Sequence, residues 1–197
     1  MGADLVIASS ELILGGQKSG KSRRAECLAR DWLAASPQHQ AVLIATGQPW
    51  DAEMRERIAR HQRERAERVP GLRTVEEPLA LAEAIEAHAR PDTLLVLDCM
   101  TLWLTNWLMP ADAGPADGLP RAAQWPEPAA RLCQAVRAAA GPVVLVSNEI
   151  GLGVIPMGAE VRAFVDALGR LNQTLAQECA RVTLMAAGLP LFLKDSA

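Results

Sequence analysis

A glycine-rich segment close to the start of the 197-residue chain limits its fold more than any other feature. Residues 15–22 read Gly-Gly-Gln-Lys-Ser-Gly-Lys-Ser and fit G-x-x-x-x-G-K-[ST], a loop whose backbone N–H groups surround nucleotide phosphates. Such a loop needs a buried strand before it and a helix after it, because the helix N-terminus then faces the anion. Residues 11–14 are largely apolar and predict such a strand. Residues 22–35 have apolar residues at helical spacing and predict such a helix. The segment therefore predicts a binding site for a purine nucleoside triphosphate.

The side chains of this loop have distinct predicted tasks. Glycine lets the backbone turn and approach the phosphates, Lys21 is a candidate catalytic residue that reaches the outer phosphates, and the Ser22 hydroxyl is placed to bind Mg²⁺. A glycine turn that only joins a strand to a helix is the alternative, and the complete pattern in its context disfavours it. The predicted nucleotide-binding residues of the loop are Gly15, Gly16, Gln17, Lys18, Ser19, Gly20, Lys21 and Ser22.

Apolar segments of strand length alternate with longer helical segments along the rest of the chain. Further strands are predicted at 41–45, 93–98, 142–147 and 181–186, with another candidate at 189–194, and helices at 51–68, 79–90, 128–140 and 159–180. This alternation is typical of a mostly parallel sheet covered by helices. The prediction is a single P-loop NTPase (RecA-like) α/β domain over residues 10–197, after residues 1–9 as a leader or short extra strand. Five prolines between positions 109 and 128 predict a surface loop there.

Composition narrows the classes of function. Twenty Lys and Arg against 23 Asp and Glu give a formal net charge of −3, so no overall positive field favours nucleic acid. Four scattered cysteines without C-x-x-C pairs disfavour a zinc site or a disulfide scaffold and fit a reducing compartment. No segment approaches the ~18 consecutive apolar residues of a membrane span, and residues 1–10 do not resemble a signal peptide. A cytoplasmic protein without a membrane span or nucleic-acid partner is predicted.

A carboxylate at the end of the 93–98 strand is the predicted partner of the phosphate loop. Mg²⁺ held by Ser22 is normally also positioned by an acid at the end of a neighbouring strand, and Asp98 occupies that place. Open α/β sheets bind ligands at the carboxyl ends of their strands, which agrees with this role. Asp98 can also cap the N-terminus of a following helix, and both roles are compatible.

The helix predicted over 51–68 combines one histidine with many arginines. Its arginines are Arg55, Arg57, Arg60, Arg63, Arg65 and Arg68, and one face carries Met54, Ile58, His61 and Arg65. In one interpretation the imidazole is a partly buried, hydrogen-bonded group and the arginines form a solvated face paired with the interleaved glutamates. In the other, an unprotonated nitrogen of His61 attacks phosphorus and the arginines stabilise phosphoryl charge in the transition state.

A polar loop follows the 142–147 strand and should reach the same edge of the sheet. It contains Asn148 and Glu149, followed by two glycines that permit a tight turn. Either polar residue can orient an acceptor hydroxyl or a water molecule, and a turn with a capping Asn is an equally good explanation.

Five blocks of the sequence, taken together, resemble one enzyme family. They are Gly15-Gly16-x-x-Ser19-Gly20-Lys21-Ser22, Ile44-Ala45-Thr46, Asp51-x-Glu53-Met54-x-x-Arg57-Ile58-x-x-His61, Arg73-Thr74-x-Glu76 and Ser147-Asn148-Glu149-x-Gly151-x-Gly153-x-x-Pro156. In this order they resemble the bifunctional adenosylcobinamide kinase/adenosylcobinamide-phosphate guanylyltransferase family of cobalamin biosynthesis. The phosphate loop alone is too common to name a family, whereas the blocks around His61 and Asn148 are specific.

The resemblance implies two reactions on one polypeptide. A nucleoside triphosphate, ATP or GTP, would phosphorylate adenosylcobinamide, and GTP would then transfer GMP through a guanylylated His61 to adenosylcobinamide phosphate, giving adenosylcobinamide-GDP. It also implies Mg²⁺ as cofactor and a homotrimer. Beyond the phosphate loop, the nucleotide contacts implied by the family are Ala45, Thr46, Gly47, Gln62, Arg63, Glu64, Arg65, Glu76 and Asp98.

The sequence departs from the family pattern in its phosphate loop. Gln17-Lys18 replaces the usual Ala-Arg, which exchanges a forked guanidinium for a point charge. Glu76 can accept hydrogen bonds from guanine, although an isolated acid is more often simply exposed.

Two other functions are compatible with the sequence. A phosphate-loop kinase of a small metabolite would not need His61. A non-enzymatic nucleotide switch would need a partner surface, and no strong apolar or basic patch is evident in the sequence.

Overall fold

The structure, a computed structural model, describes residues 7–109, 124–154 and 156–196. The strands, in chain order, are β1 (Ser10–Gly15), β2 (Gln40–Ala45), β3 (Leu72–Glu76), β4 (Thr93–Asp98), β5 (Val143–Val146), β6 (Arg181–Ala186) and β7 (Leu189–Asp195). They form one sheet in the order β3-β2-β4-β5-β1-β6-β7. All neighbouring pairs are parallel except β6 and β7, which are antiparallel. The predicted mostly parallel sheet is confirmed.

Helices connect these strands and cover both faces of the sheet. They are α1 (Lys21–Ala35), α2 (Ala52–Arg68), α3 (Leu81–His88), α4 (Met100–Leu108), α5 (Pro126–Ala138) and α6 (Ala159–Glu178), with a 3₁₀ helix at Ile150–Leu152. None of the helices within the described ranges is both long and apolar enough to span a bilayer.

Two buried apolar clusters hold the layers together, because successive side chains of each strand point to opposite faces of the sheet. Leu12 of β1 belongs to one cluster, with Trp103 of α4 and Leu171 of α6, whereas Ile13 belongs to the other, with Leu28 of α1. These five side chains are at most 2% exposed. Burial on both faces explains why the central strands read as near-continuous apolar segments.

Three features of the fold differ from the sequence-based expectation. Strand β3 and helix α4 were not predicted. Helix α5 begins at Pro126, inside the stretch expected to be a loop through residue 128. Prolines are tolerated there because the first turn of a helix needs no intrahelical N–H donor. Residues 110–123 of the expected loop lie outside the described residues.

Two surfaces expose apolar side chains that were not expected from the sequence. Around the 3₁₀ helix, Leu152, Val154 and Met157 are 76%, 95% and 97% exposed. The edge strand β7 exposes Leu189, Leu191, Phe192 and Leu193. At the other end of the described chain, Ala8 is 3% exposed, and residues 1–6 of the expected leader lie outside the described residues.

Candidate functional site

The carboxyl ends of the parallel strands bring the predicted site residues into one row. In the register of the sheet, Glu76 of β3 lies beside Ala45 of β2, Ala45 beside Asp98 of β4, and Asp98 beside Val146 of β5. The next strand, β1, ends at Gly15 and leads directly into the phosphate loop. Residues that are far apart in the sequence therefore meet at the edge where open α/β sheets bind ligands.

Two glycines of the phosphate loop are required by its geometry. Gly15 has φ +148°, and a Cβ there would lie 2.5 Å from the carbonyl oxygen of Met185. Gly20 has φ +104° and packs against Gly188, whose Cα would lie 3.3 Å from a Cβ at position 20. Both conformations strain residues with a side chain. The loop therefore needs glycine for its own shape as well as for the approach of phosphate.

Backbone hydrogen bonds from elsewhere in the chain brace this loop. Gly188, in the turn between β6 and β7, donates its N–H to the carbonyl oxygen of Ser19 at 3.0 Å. Glu149 donates its N–H to the carbonyl oxygen of Gly15 at 3.1 Å. The loop is thus held from two sides by segments that follow β5 and β6.

Lys21 lies inside this frame and is 8% exposed. Its Nζ donates to the carbonyl oxygen of Gly16 at 2.6 Å. Burial lowers the pKa of Lys21, while the neighbouring Asp98 carboxylate acts to raise it. Burial also raises the pKa of the Cys99 thiol to about 12, so this residue is an uncharged wall of the site.

A cavity of about 460 Å³ opens beside the phosphate loop. Five of its lining side chains are cationic, namely Lys18, Lys21, Arg23, Arg57 and Arg60, against the carboxylates Glu53 and Asp98. The buried Ser19 hydroxyl at its edge has no hydrogen-bond partner among the described residues. A cationic cavity with an unsatisfied donor fits a polyphosphate.

The residues predicted to bind Mg²⁺ meet in the same place. Ser22 and Asp98 both line the cavity, and their hard oxygen atoms suit this cation. Within the described residues, no group of three or more His, Cys, Asp and Glu side chains could hold a metal ion. Two protein oxygens together with substrate phosphates are a usual coordination set for Mg²⁺, so Ser22 and Asp98 fit the ion.

Helix α2 contributes Glu53, Arg57, Arg60 and His61 to the lining of this cavity. Its N-terminus is capped by Asp51, whose Oδ1 accepts from the Met54 N–H at 2.7 Å, as the sequence predicts. Near its C-terminus, Arg68 Nε lies 2.9 Å from Glu26 Oε2 of α1, and Arg65 Nε lies 4.0 Å from Glu26 Oε1. Caps and ion pairs, rather than core packing, fix the position of this helix.

A second cavity, of about 290 Å³, lies on the β2–β3 side of the first. The predicted face of α2 lines it: Met54, Ile58, His61 and Arg65. Glu76 lies across from this face and accepts a hydrogen bond from Gln62 Nε2 at 3.4 Å. Glu76 is exposed, as an isolated acid would be, and yet it lines this cavity.

His61 lines both cavities. The two cavities share seven residues: Gln17, Ser22, Arg57, His61, Asp98, Cys99 and Asn148. The imidazole is partly buried, as one interpretation of the sequence expects, but it takes part in no hydrogen bond among the described residues. It lies where the cavity beside the phosphate loop meets the second cavity, which Glu76 lines.

Not every predicted nucleotide contact faces these cavities. Ala45 and Gly47 line the smaller one, but Thr46 is fully buried, and its hydroxyl donates to the Cys99 carbonyl oxygen at 2.8 Å. Arg63 and Glu64 line neither cavity, and Glu64 lies 3.4 Å from Arg68. Thr46 therefore has a structural role in joining the ends of β2 and β4.

A polar network behind Asn148 was not predicted. Thr101 Oγ1 accepts from both the backbone N–H and the side-chain Nδ2 of Asn148, at 3.1 and 3.0 Å. The buried Asn172 of α6 accepts from the Ser147 hydroxyl at 2.7 Å and donates to the Asn148 carbonyl oxygen at 3.0 Å. A lone Asn within an amphipathic helix is the only sequence signal of this contact, and it does not name the partner. Glu149 lines neither nucleotide cavity, and its Oε2 lies 3.4 Å from Asn172 Nδ2.

Comparison with solved structures supports the fold. The chain superimposes on the flagellar accessory protein FlaH from Methanocaldococcus jannaschii with a TM-score of 0.51 at 10% identity, covering 96% of this chain and 80% of that one. A Pyrococcus horikoshii OT3 protein gives a TM-score of 0.52 at 8% identity, covering 98% and 90%. At such low identity the likeness concerns the fold alone.

Comparison of sequences is more specific. The chain is 46% identical over 185 residues to the bifunctional adenosylcobalamin biosynthesis protein CobP of Pseudomonas aeruginosa, covering 93% of this chain and 96% of that protein. It is 36% identical over 187 residues to CobU of Escherichia coli K12, which carries the same bifunctional description, covering 93% and 98%. A family model described as cobinamide kinase / cobinamide phosphate guanyltransferase matches residues 11–193. On these matches and on the site described above, the chain belongs to the cobinamide kinase / cobinamide phosphate guanyltransferase family.

Proposed function

We propose that this chain phosphorylates adenosylcobinamide with a nucleoside triphosphate and then transfers GMP from GTP, through a guanylylated His61, to adenosylcobinamide phosphate. The product is adenosylcobinamide-GDP. The observation that supports this most is that His61 lines both the phosphate-loop cavity and the Glu76-lined cavity. If the outer phosphates of a nucleotide lie at the loop and its base lies near Glu76, its α-phosphate lies beside His61.

In the first half of guanylyl transfer, an unprotonated nitrogen of His61 attacks the α-phosphorus of GTP. The new N–P bond forms as the bond from the α-phosphorus to the bridging oxygen breaks, and its electron pair leaves with pyrophosphate. In the second half, a phosphate oxygen of the acceptor attacks the same phosphorus, and the electron pair of the N–P bond returns to the imidazole. One transfer is thus divided into two displacements.

The remaining site residues bind and orient the substrates. Lys21 and the loop amides hold the outer phosphates, and Ser22 and Asp98 would hold Mg²⁺, which would supply positive charge there. Glu76 accepts hydrogen bonds from the N–H edge of guanine, which adenine does not offer in the same arrangement. Asn148, which donates a hydrogen bond to Thr101, would orient the acceptor.

A homotrimer and a cytoplasmic location belong to the same proposal. The apolar side chains on β7 form a surface that a subunit contact would cover, because long exposed apolar edge strands otherwise favour aggregation. Sedimentation analysis of the purified protein tests the trimer, and a monomeric species at micromolar concentration would contradict it. The four cysteines are free thiols, which fits a reducing compartment.

The decisive experiment is the intact mass of the protein after incubation with Mg²⁺ and GTP, in parallel with ATP. The expected result is an acid-labile adduct of the mass of GMP that forms with GTP, is absent in His61→Ala and is unchanged in His88→Ala. His88 is a matched control because it ends α3 and lies near Gln40 and Thr93, where β2 and β4 begin, whereas His61 lies where the parallel strands end. A protein that binds GTP without forming the adduct would favour a phosphate-loop kinase that does not use His61.

A further inference from the structure

The arginines of α2 differ in their surroundings although they lie on one helix. Arg65 and Arg68 are anchored to Glu26 of α1, as described above. Arg57 and Arg60 instead line the phosphate-loop cavity. None of the hydrogen bonds and ion pairs among the described residues involves either of these two side chains. The helix therefore carries two structural guanidinium groups and two that face the nucleotide site without a carboxylate partner.

Arg57 occupies the more informative position of the two. It is one of the seven residues shared by both cavities, whereas Arg60 lines only the cavity beside the phosphate loop. Among those seven, Arg57 is the only side chain with a permanent positive charge. It precedes His61 by four residues, and side chains at this spacing are neighbours on one helix face. Because both side chains lie on the same helix, the guanidinium group of Arg57 stays close to the imidazole of His61 even if the helix moves.

We propose that Arg57 is a catalytic residue of guanylyl transfer that binds the α-phosphate oxygens while His61 attacks. The inference rests on the proposed function of the site. Lys21 and the loop amides lie at the outer phosphates, so charge that develops around the α-phosphorus needs a donor of its own. A planar guanidinium with paired N–H groups suits two oxygens of one phosphate.

The same residue serves the second displacement. The guanylylated histidine and the phosphorylated acceptor both carry negative charge, and their approach costs free energy unless a cation lies between them. Arg57 remains beside the phosphorus while the bond to the acceptor oxygen forms and the N–P bond breaks. Both half-reactions should therefore slow when the guanidinium is removed.

The test measures single-turnover rates of adduct formation at saturating GTP, and of adduct decay on addition of the phosphorylated acceptor. The variants are Arg57→Ala, Arg57→Lys and, as a matched control, Arg55→Ala, which removes an exposed arginine of the same helix that lines neither cavity. We expect Arg57→Ala to lose roughly 10²-fold or more in both rates, with Arg57→Lys in between. GTP binding, measured by calorimetry, should weaken far less than the rates fall.

Chemical rescue separates a catalytic role from a structural one. Free guanidinium ion should restore part of the adduct-forming rate of Arg57→Ala and leave the wild-type protein and Arg55→Ala unchanged. An Arg57→Ala protein that forms the adduct at the wild-type rate would overturn the inference, as would a defect confined to GTP affinity. If the wild-type protein forms no adduct with bound GTP, the proposed function fails first and the role of Arg57 fails with it.

Discussion

Helices α1 and α2 each follow a strand that ends at the site, but different kinds of interaction hold them to the rest of the protein. Helix α1, which begins at Lys21 in the phosphate loop, buries six of its residues, and Leu28 is only 1% exposed. Helix α2, which carries His61, buries only Arg65. Apolar packing holds the first, whereas a cap, ion pairs and a few hydrogen bonds hold the second.

The difference agrees with the roles proposed for the two helices, in which α1 supports the phosphate loop and α2 presents His61 to both substrates. Phosphate binding needs a rigid arrangement of amides, and a loop fixed by the core provides it. A nucleophile that takes GMP from one substrate and gives it to another must remain accessible to both. Segments with little buried apolar surface are also the ones that open most easily. The predictions below test whether this contrast holds.

The largest expected effect concerns activity. Lys21→Ala should lose at least about 10²-fold in both the kinase and the guanylyltransferase reactions, because each uses the outer phosphates of a triphosphate. His61→Ala should abolish guanylyl transfer and keep the kinase activity. Separate assays of phosphate and GMP transfer to the acceptor check this. A kinase that fails in His61→Ala would show that the two helices do not divide their tasks in this way.

Next in size is a difference in stability between two apolar truncations. Leu28→Ala in α1 should lower the free energy of unfolding by about 2–5 kcal/mol, because it leaves a cavity in the core. Ile58→Ala in α2, which truncates a half-buried side chain, should cost about 1 kcal/mol. Urea denaturation of both variants measures the two values. Equal losses would contradict the contrast between the helices.

Removing the anchor of α2 should have an intermediate effect. Glu26 is 5% exposed and faces Arg65 and Arg68, so Glu26→Gln removes the only carboxylate paired with Arg65 among the described residues and leaves Arg68 with Glu64 alone. A loss of about 1–3 kcal/mol is expected. Hydrogen exchange should quicken in α2 more than in α1. If exchange rises equally in both helices, Glu26 supports the whole fold rather than the attachment of α2.

The smallest expected effect comes from the cap of α2. Asp51→Ala removes the acceptor for the Met54 N–H and should cost about 1 kcal/mol, confined to the first turns of the helix. Glu56→Ala, an exposed change in the middle of the same helix, is the control and should be close to neutral. Amide exchange at the start of α2 provides the measurement. Unchanged exchange in Asp51→Ala would show that the first turn is fixed by contacts other than its cap.

The sequence predicts the centre of this fold better than its margins. Central strands such as β4 are apolar on both faces, and the family, the fold class and the class of enzyme inferred from the motifs are confirmed. Strand β3 reads Leu-Arg-Thr-Val-Glu, and as an edge strand it is too polar to stand out. Helix α4 lacks a polar face with helical spacing because both its sides are largely enclosed, so its pattern does not separate it from a loop.

The features of the site can also be predicted only in part from the sequence. The phosphate loop and the face of α2 that carries His61 depend on local spacing, so they can be recognised in the sequence. The position of Glu76 beside Ala45 depends on sheet register, and the contact of Asn172 with Ser147 depends on how α6 packs. Such relations arise only when distant segments are brought together, and no single segment of the sequence encodes them.

The turn between β6 and β7 also has a consequence for the order of events during synthesis. Strand β1 lies between β5 and β6, and Gly188 supports the phosphate loop through Ser19. The loop is therefore made long before the turn that supports it. A growing polypeptide cannot complete its nucleotide site until the ribosome has released the residues through that turn, and contacts so distant along the chain are slow to form. Capture of nucleotide by a nascent chain would therefore report that nearly the whole sheet has assembled.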